Sequence, residues 1–245
     1  MALKDEFGHH ISQQFNSELD EIRNIFLAMG GKVEKQVADA IQGLLTADAE
    51  LAAQVQMDEK SINAMEIHID EECVRILARR QPAASDLRLI MAVGKANIDL
   101  ERIGDEAFKI ARYTLALNEE GESPRGYVEA RHIGRQVREM VGDALNAFAR
   151  FDVELAFSVM RADTIIDQEY KTATRALVTF MMEDPRSISR VLNIMWVLRS
   201  LERIGDHARN ISEQLIFMVK GADVRHTSFD LVEKTISNSQ KIENN

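Results

Sequence analysis

The stretch LERIGD occupies Leu100–Asp105 and recurs without a change at Leu201–Asp206. In both places an alanine follows two residues after the aspartate, and an isoleucine follows three residues later. A shorter match relates DAELA, which begins at Asp48, to DVELA, which begins at Asp152. Six consecutive identities at equivalent places in two helical patterns are hard to attribute to shared composition, so the sequence indicates an internal duplication.

The hydrophobic pattern around both copies is helical. Apolar residues recur at spacings of three and four along almost the whole chain, which is typical of long amphipathic helices. The chain has only three prolines and 6% aromatic residues, a composition that favours helices over sheets. Asp48 and Asp152 are suitable N-caps, and Gly221 is a suitable helix stop. We therefore predict an all-α fold with six helices, at residues 11–45, 49–79, 83–117, 127–150, 153–183 and 186–220.

The duplication also predicts the domain organisation. Two copies of a three-helix unit would occupy residues 9–118 and 127–221. A polar linker with two glycines and a proline joins them at residues 119–126. Residues 222–245 are mostly polar, and we expect this C-terminal tail to be loosely held.

Composition argues against several classes of function. The net charge of −10 disfavours a nucleic-acid role, because phosphate backbones are bound by clustered lysines and arginines. Cys73 is the only cysteine, so the chain cannot form an internal disulfide, which suits a reducing, cytoplasmic compartment. No apolar run approaches the ~20 residues of a membrane span, so we expect membrane contact only through partners. We find no glycine-rich phosphate loop and no G-x-S-x-G or H-E-x-x-H motif, and we predict no catalytic residues.

Oxygen-bearing side chains recur four residues apart on equivalent helices. On a helical wheel, the acids of each LERIGD copy lie opposite the apolar stripe of their helix, on an outer face. A second row lies beside the apolar stripe of the preceding helix in each unit. The rows would meet where these helices pack, and they comprise Glu59, Asn63, Glu101 and Asp105 in the first half and Asp163, Asp167, Glu202 and Asp206 in the second.

Like charges on one patch repel each other, and a multivalent cation would relieve that repulsion. Ligands that are all oxygen suit hard ions. We therefore predict carboxylate metal sites that take Mg²⁺, Mn²⁺, Ca²⁺, iron or Zn²⁺. Gly104 and Gly205 recur at matched positions inside helices, at a cost of ~1 kcal/mol each relative to alanine, which favours close helix packing there.

Two other interpretations stay open at this point. Acids four residues apart are often a solvated helix face, and Lys109 and Arg209 are placed to pair with Asp105 and Asp206. In that case the chain is a metal-free helical adaptor. The second alternative is a ferritin-like metal-handling helical protein, which requires ligands in the bundle centre rather than on an outer face.

Several motifs, taken together and in order, resemble the PhoU family. They are HISQQF at 10–15, ARRQPAASDLR at 78–88, the two LERIGD copies, FMMEDPR at 180–186 and VKGADVRH at 219–226. The resemblance extends from about residue 9 to residue 226. It implies two tandem, sequence-related antiparallel three-helix bundles.

The resemblance also implies a function. A chain of this family would be a non-catalytic adaptor and a negative regulator of the phosphate-starvation (Pho) response. Its expected partners are the sensor histidine kinase PhoR and PstB, the ATPase subunit of the phosphate ABC transporter. The expected assembly is a homodimer in the cytoplasm.

The metal motif of the family, E/D-x-x-x-D, matches three of the four paired positions given above. They are Glu101–Asp105, Glu202–Asp206 and Asp163–Asp167. At the fourth place, Glu59 is followed by Asn63, whose amide oxygen is a neutral ligand. We therefore expect the second half to bind metal more tightly than the first.

Overall fold

The computed structural model describes residues 13–120 and 127–242. Within these residues the chain forms helices and no strands. The α-helices are α1 Gln13–Thr46, α2 Ala49–Arg80, α3 Ala84–Glu119, α4 Tyr127–Arg150, α5 Val153–Glu183, α6 Ile188–Lys220 and α7 Phe229–Ile242. Pro185–Ser187 forms one turn of 3₁₀ helix before α6. The predicted all-α class is confirmed, and α1 to α6 match the six predicted helices.

The helix ends are set by the residues that the sequence singled out. Asp48 Oδ1 accepts a hydrogen bond from the Leu51 amide at 2.9 Å, and Asp152 Oδ1 accepts one from the Leu155 amide at 3.0 Å. Each bond satisfies an amide that has no partner within its own helix. Gly221 ends α6 with a left-handed φ of 68°, a conformation that glycine adopts without a steric penalty.

Helices α1–α3 form one antiparallel bundle, and α4–α6 form a second. The aliphatic residues of both LERIGD copies are fully buried: Leu100, Ile103, Leu201 and Ile204. They belong to an apolar core that is continuous through both bundles. The two sequence-related units therefore pack against each other as well as within themselves.

The two LERIGD helices, α3 and α6, form the main contact between the bundles. Asp99 Oδ1 lies 2.8 Å from His207 Nδ1, and Glu106 Oε1 lies 3.2 Å from Arg203 Nη1. Residue numbers thus rise along α3 as they fall along α6, so the helices are antiparallel. The LERIGD copies lie near the middle of this contact.

The C-terminal segment differs from the prediction. Helix α7 packs on α5 and α6, with Val232 and Ile236 buried and the ring of Phe229 6.0 Å from that of Phe157. The expectation of a loosely held tail is wrong for this segment. Apolar residues at spacings of three and four give α7 one buried face, which the surrounding polar residues obscured in the sequence.

Some of the predicted boundaries cannot be compared with the fold. Residues 9–12, and 121–126 of the predicted linker, lie outside the described residues. None of the described helices is both long enough and apolar enough to cross a membrane.

Candidate functional site

The glycine of each LERIGD copy faces an acid on the preceding helix of its bundle. A Cβ added to Gly205 would lie 3.4 Å from Asp163 Oδ1, and one added to Gly104 would lie 3.6 Å from Glu59 Oε2. A Cβ at either glycine would be in ordinary van der Waals contact with the carboxylate, so the two helices pack closely at this point in both halves. The close packing expected at these glycines is observed, and the acidic rows do approach each other.

Two acidic seams follow from this packing, one in each half. The first seam lies between α2 and α3, and the second between α5 and α6. The predicted residues divide between them: Glu59, Asn63, Glu101 and Asp105 in the first seam, and Asp163, Asp167, Glu202 and Asp206 in the second.

The second seam contains two buried carboxylates, each with one unused oxygen. Asp163 is 2% exposed and Glu202 is 8% exposed. Arg209 donates to Asp163 Oδ2 at 3.2 Å, and Arg199 donates to Glu202 Oε1 at 2.6 Å. Asp163 Oδ1 and Glu202 Oε2 are buried without a hydrogen-bond partner. Buried acceptors without a partner are rare and costly in native proteins. Each of these two oxygens is therefore available to bind a cation or to accept a hydrogen bond.

Three acids of the second seam have raised pKa values, so their surroundings favour the protonated form over the ionised form. Burial raises the pKa of Asp163 to about 6, despite its hydrogen bond from Arg209. Burial and then the charge of Asp206 raise the pKa of Glu202 to about 7. Burial and then the charge of Asp167 raise the pKa of Asp206 as well. Desolvation and mutual repulsion thus act in the same direction on Asp163, Glu202 and Asp206.

The first seam contains three acids rather than four, because Asn63 stands at the fourth position. Gln36 donates to Glu59 Oε2 at 2.9 Å, while burial and the nearby Asp105 raise the pKa of Glu59. Arg102 lies 3.5 Å from a Glu101 oxygen and 3.3 Å from an Asp105 oxygen. One amide and one guanidinium therefore already contact the three acids of this seam.

Asn63 completes the first seam in a way that its sequence position did not reveal. When its side-chain amide is turned to satisfy its neighbours, the nitrogen donates to Glu59 Oε1 at 3.2 Å. In that orientation Asn63 supports the carboxylate of Glu59 with a hydrogen bond. The residue that departs from the acidic pattern thus interacts directly with the acid one turn before it.

The prediction that the acids lie on an outer face is wrong for the buried members of the seams. A helical wheel treats one helix alone, whereas α6 contacts α3, α4 and α5, which cover most of its surface. The seams still reach solvent at Asp105 and Asp167, whose side chains are 31% and 40% exposed. The acids therefore line half-buried grooves between helices.

The ion pairs of Lys109 and Arg209 also differ from those that the sequence predicted. Lys109 binds Glu106 at 2.9 Å, and Arg209 binds Asp163 and Glu213 rather than Asp206. Of the two arginines that contact buried acids of the second seam, Arg199 was missed in the sequence. A spacing of three residues between Arg199 and Glu202 was the available signal for it.

The described residues do not contain a closed metal site. Among residues 13–120 and 127–242, no group of three or more His, Cys, Asp or Glu side chains is close enough to hold an ion. The second seam nevertheless fits a hard cation by its donors, because its two unpartnered buried oxygens are carboxylate oxygens. Binding would require these side chains to converge by rotamer changes.

Exposed apolar strips extend from each seam toward the N-terminus of the LERIGD helix. The first strip consists of Leu87, Met91 and Ile98 on α3, and the second consists of Ile188, Leu192 and Trp196 on α6. Leu87 is equivalent to Ile188 in the repeat, and Met91 is equivalent to Leu192. Recurrence at equivalent positions distinguishes these strips from scattered surface apolar residues, which are common.

Comparison with known proteins agrees with the duplicated architecture. A family model described as the PhoU domain matches the chain twice, at residues 26–114 and 130–215. Each match lies within one of the two three-helix bundles, so each bundle corresponds to one such domain.

Curated relatives match almost the whole chain. A homolog from Pseudomonas aeruginosa is 64% identical over 240 residues, which is 98% of this chain and 99% of the relative. A protein from Escherichia coli is 46% identical over 228 residues, 93% of this chain and 94% of the relative. Both are named as phosphate-specific transport system accessory proteins, and neither is named as an enzyme.

Solved structures agree with these matches. The crystal structure of PhoU from Pseudomonas aeruginosa is 67% identical with a TM-score of 0.84, covering 85% of this chain and 100% of that one. The phosphate transport system regulatory protein PhoU from Streptococcus pneumoniae is 30% identical with a TM-score of 0.79, covering 86% of this chain and 99% of that one. Two PhoU domains, near-complete coverage and a shared fold lead to one conclusion: the chain belongs to the PhoU family, whose members are named as accessory and regulatory proteins and not as enzymes.

Proposed function

We propose that this chain is a cytoplasmic adaptor and negative regulator of the phosphate-starvation response. It would couple the phosphate ABC transporter to the sensor histidine kinase that controls phosphate-scavenging genes. The observation that carries the proposal is the match, over 98% of this chain, to a phosphate-specific transport system accessory protein. A helical protein whose relatives are named as accessory proteins is suited to act by contact.

The expected contacts are with PstB, the transporter ATPase, and with the kinase PhoR, and the expected assembly is a homodimer. The two apolar strips support this part of the proposal. Leu192 and Trp196 are 43% and 54% exposed, as large apolar side chains at a binding surface would be. Because the strips are repeated, one chain offers two related surfaces, and two partners or a second copy of the chain can be bound together.

We further propose that the second seam holds a hard cation, which would be Mg²⁺, Mn²⁺, Ca²⁺, iron or Zn²⁺. Its ligands would be Asp163, Asp167, Glu202 and Asp206. The cation would neutralise acids whose charges burial and mutual repulsion now disfavour. The first seam would bind more weakly, because Asn63 replaces one of its four acids and none of its carboxylate oxygens is buried without a hydrogen-bond partner.

A metal-free adaptor is the second candidate, and one observation favours it. Arg199 and Arg209 each contact one acid of the second seam, and the described residues contain no closed set of ligands. In this view the acids only belong to the packing of α2 on α3 in the first seam and of α5 on α6 in the second. A metal titration with seam variants separates the two candidates.

Gene deletion tests the regulatory role. Removing the gene should release the phosphate-scavenging genes from repression while phosphate is abundant, and a plasmid copy should restore repression. Transcript levels of those genes in high-phosphate medium are the measurement. Unchanged repression in the deletion strain would contradict the proposal.

A further inference from the structure

A cleft of about 480 Å³ opens on the second bundle, between α6 and the segment that follows it. It is lined by four arginines and two histidines but only two acids. The arginines are Arg199, Arg203, Arg209 and Arg225. In a chain with a net charge of −10, this concentration of cationic side chains around one concave surface is unusual.

Each of the four guanidinium groups contacts at least one acid: Arg199 contacts Glu202, Arg203 contacts Glu106, Arg209 contacts Asp163 and Glu213, and Arg225 contacts Asp223. Glu106 of α3 is 2% exposed and lies 3.2 Å from Arg203 Nη1, and Asp163 of α5 lies 3.2 Å from Arg209 Nη1. A guanidinium has five N–H donors, so each of these contacts leaves donors free. The Arg203 side chain is 42% exposed, and its remaining donors are accessible from the cleft.

The segment after α6 completes the cleft from the other side. Val224 is 3% exposed and anchors this segment to the bundle, which places Arg225 and His226 beside α6. Arg225 Nε donates to Asp223 Oδ1 at 2.9 Å, so its side chain is also oriented by an acid. His226 has a left-handed φ of 60°, a strained conformation that the surrounding contacts must maintain.

Two of the four cleft arginines have no basic counterpart in the first half of the sequence. The residues at the positions equivalent to Arg199 and Arg209 are Ile98 and Phe108, which cannot bind an anion. The duplication therefore does not repeat the full cationic lining of this cleft. This distinguishes it from the acidic seams, which occur in both halves.

We propose that this cleft binds inorganic phosphate directly. Planar guanidinium forks match the oxygens of a tetrahedral oxyanion, and several can bind one anion together. Glu213 of the lining and the side-chain oxygen of Asn210 supply acceptors for the O–H group of hydrogen phosphate. Sulfate has no such group, so these acceptors favour phosphate over sulfate. The chain would then sense the ion itself in addition to receiving a signal from the transporter.

Equilibrium dialysis of the full-length chain with radiolabelled phosphate tests this inference at constant ionic strength and without added metal. We expect saturable binding of one phosphate per chain, and competition by sulfate that is much weaker than competition by unlabelled phosphate. The same assay does not depend on the kinase or the transporter. Its result is therefore separate from the test of the adaptor role.

Two variants make the test specific to the cleft. Arg225→Ala should weaken phosphate binding about tenfold, which is the value of one charge-assisted hydrogen bond. Arg186→Ala is the matched control, because Arg186 also bonds through its backbone and side chain to an aspartate two residues earlier, Asp184. It should bind phosphate like the unchanged chain. Absence of saturable binding, equal competition by sulfate, or equal affinities of the two variants would each overturn the proposal.

Discussion

Asp163 on α5 lies directly against Gly205 on α6, with its Oδ1 3.4 Å from the place where a glycine Cβ would be. Glu59 and Gly104 have the same relationship in the first half. The duplication has thus kept a contact between a carboxylate and a glycine, together with the sequence around it. This contact brings the acids of neighbouring helices into one seam, and the proposed metal chemistry depends on it.

Replacing Asp163 by asparagine should stabilise the metal-free chain at neutral pH. Burial raises the pKa of this carboxyl group from an ordinary 3.8 to about 6. Between these values the folded chain keeps a proton that the unfolded chain has lost, so the free energy of unfolding falls as the pH rises. At about 1.4 kcal/mol for each pKa unit, we expect Asp163→Asn to gain on the order of 1–3 kcal/mol at pH 7.5.

Urea denaturation of the two proteins between pH 4.5 and pH 7.5, with a chelator present, measures this effect. The advantage of Asp163→Asn should grow as the pH rises and should be small at the acidic end, where the native carboxyl group is protonated. An advantage that stays constant or shrinks with rising pH would contradict the account of the buried acid.

The first apolar strip should be required for repression but not for folding. Leu87 and Met91 are 39% and 42% exposed, so changing both to aspartate removes a contact surface without burying a charge. We expect this double variant to leave phosphate-scavenging genes expressed in high phosphate, while its Tm changes by only a few degrees. Val128→Asp, at a site that is 73% exposed on α4, is the control and should still repress. Full repression by the double variant would exclude the strip as a partner surface.

Docking of α7 should depend on its buried face. Val232 is fully buried and its neighbour Leu231 is 51% exposed, so an aspartate is costly at the first position and tolerated at the second. Amide hydrogen exchange in α7 should be at least tenfold faster in Val232→Asp, because the helix leaves the bundle. Leu231→Asp should exchange like the unchanged chain, and equal rates in both variants would show that α7 is not held by this face.

The fold was predictable because its signals are local or repeated. The caps at Asp48 and Asp152 depend on side chains within three residues of the amides that they bind. The buried stripe of each LERIGD helix follows from the helical period alone. The antiparallel packing of α3 on α6 was not predictable, since contacts such as Asp99 with His207 join residues far apart in the chain.

The chemistry of the seams was predictable only in part. Spacing indicated which acids of one helix lie on the same face, because one helix period sets that pattern. Burial of Asp163 depends on how many helices surround it, and no single-helix wheel contains that information. The partners of Arg209 were missed for the same reason, since Asp163 belongs to a different helix.

Calorimetric titration with Mn²⁺ after removal of bound metal tests the central claim most directly. The unchanged chain should show a tight and a weaker class of site. Asp163→Ala/Glu202→Ala should lose the tight class, whereas Glu59→Ala/Glu101→Ala, the matched change in the first seam, should lose only the weaker one. If the unchanged chain and the Asp163→Ala/Glu202→Ala variant give the same trace, with no heat beyond dilution, the acids of the seams bind no metal and the account is contradicted.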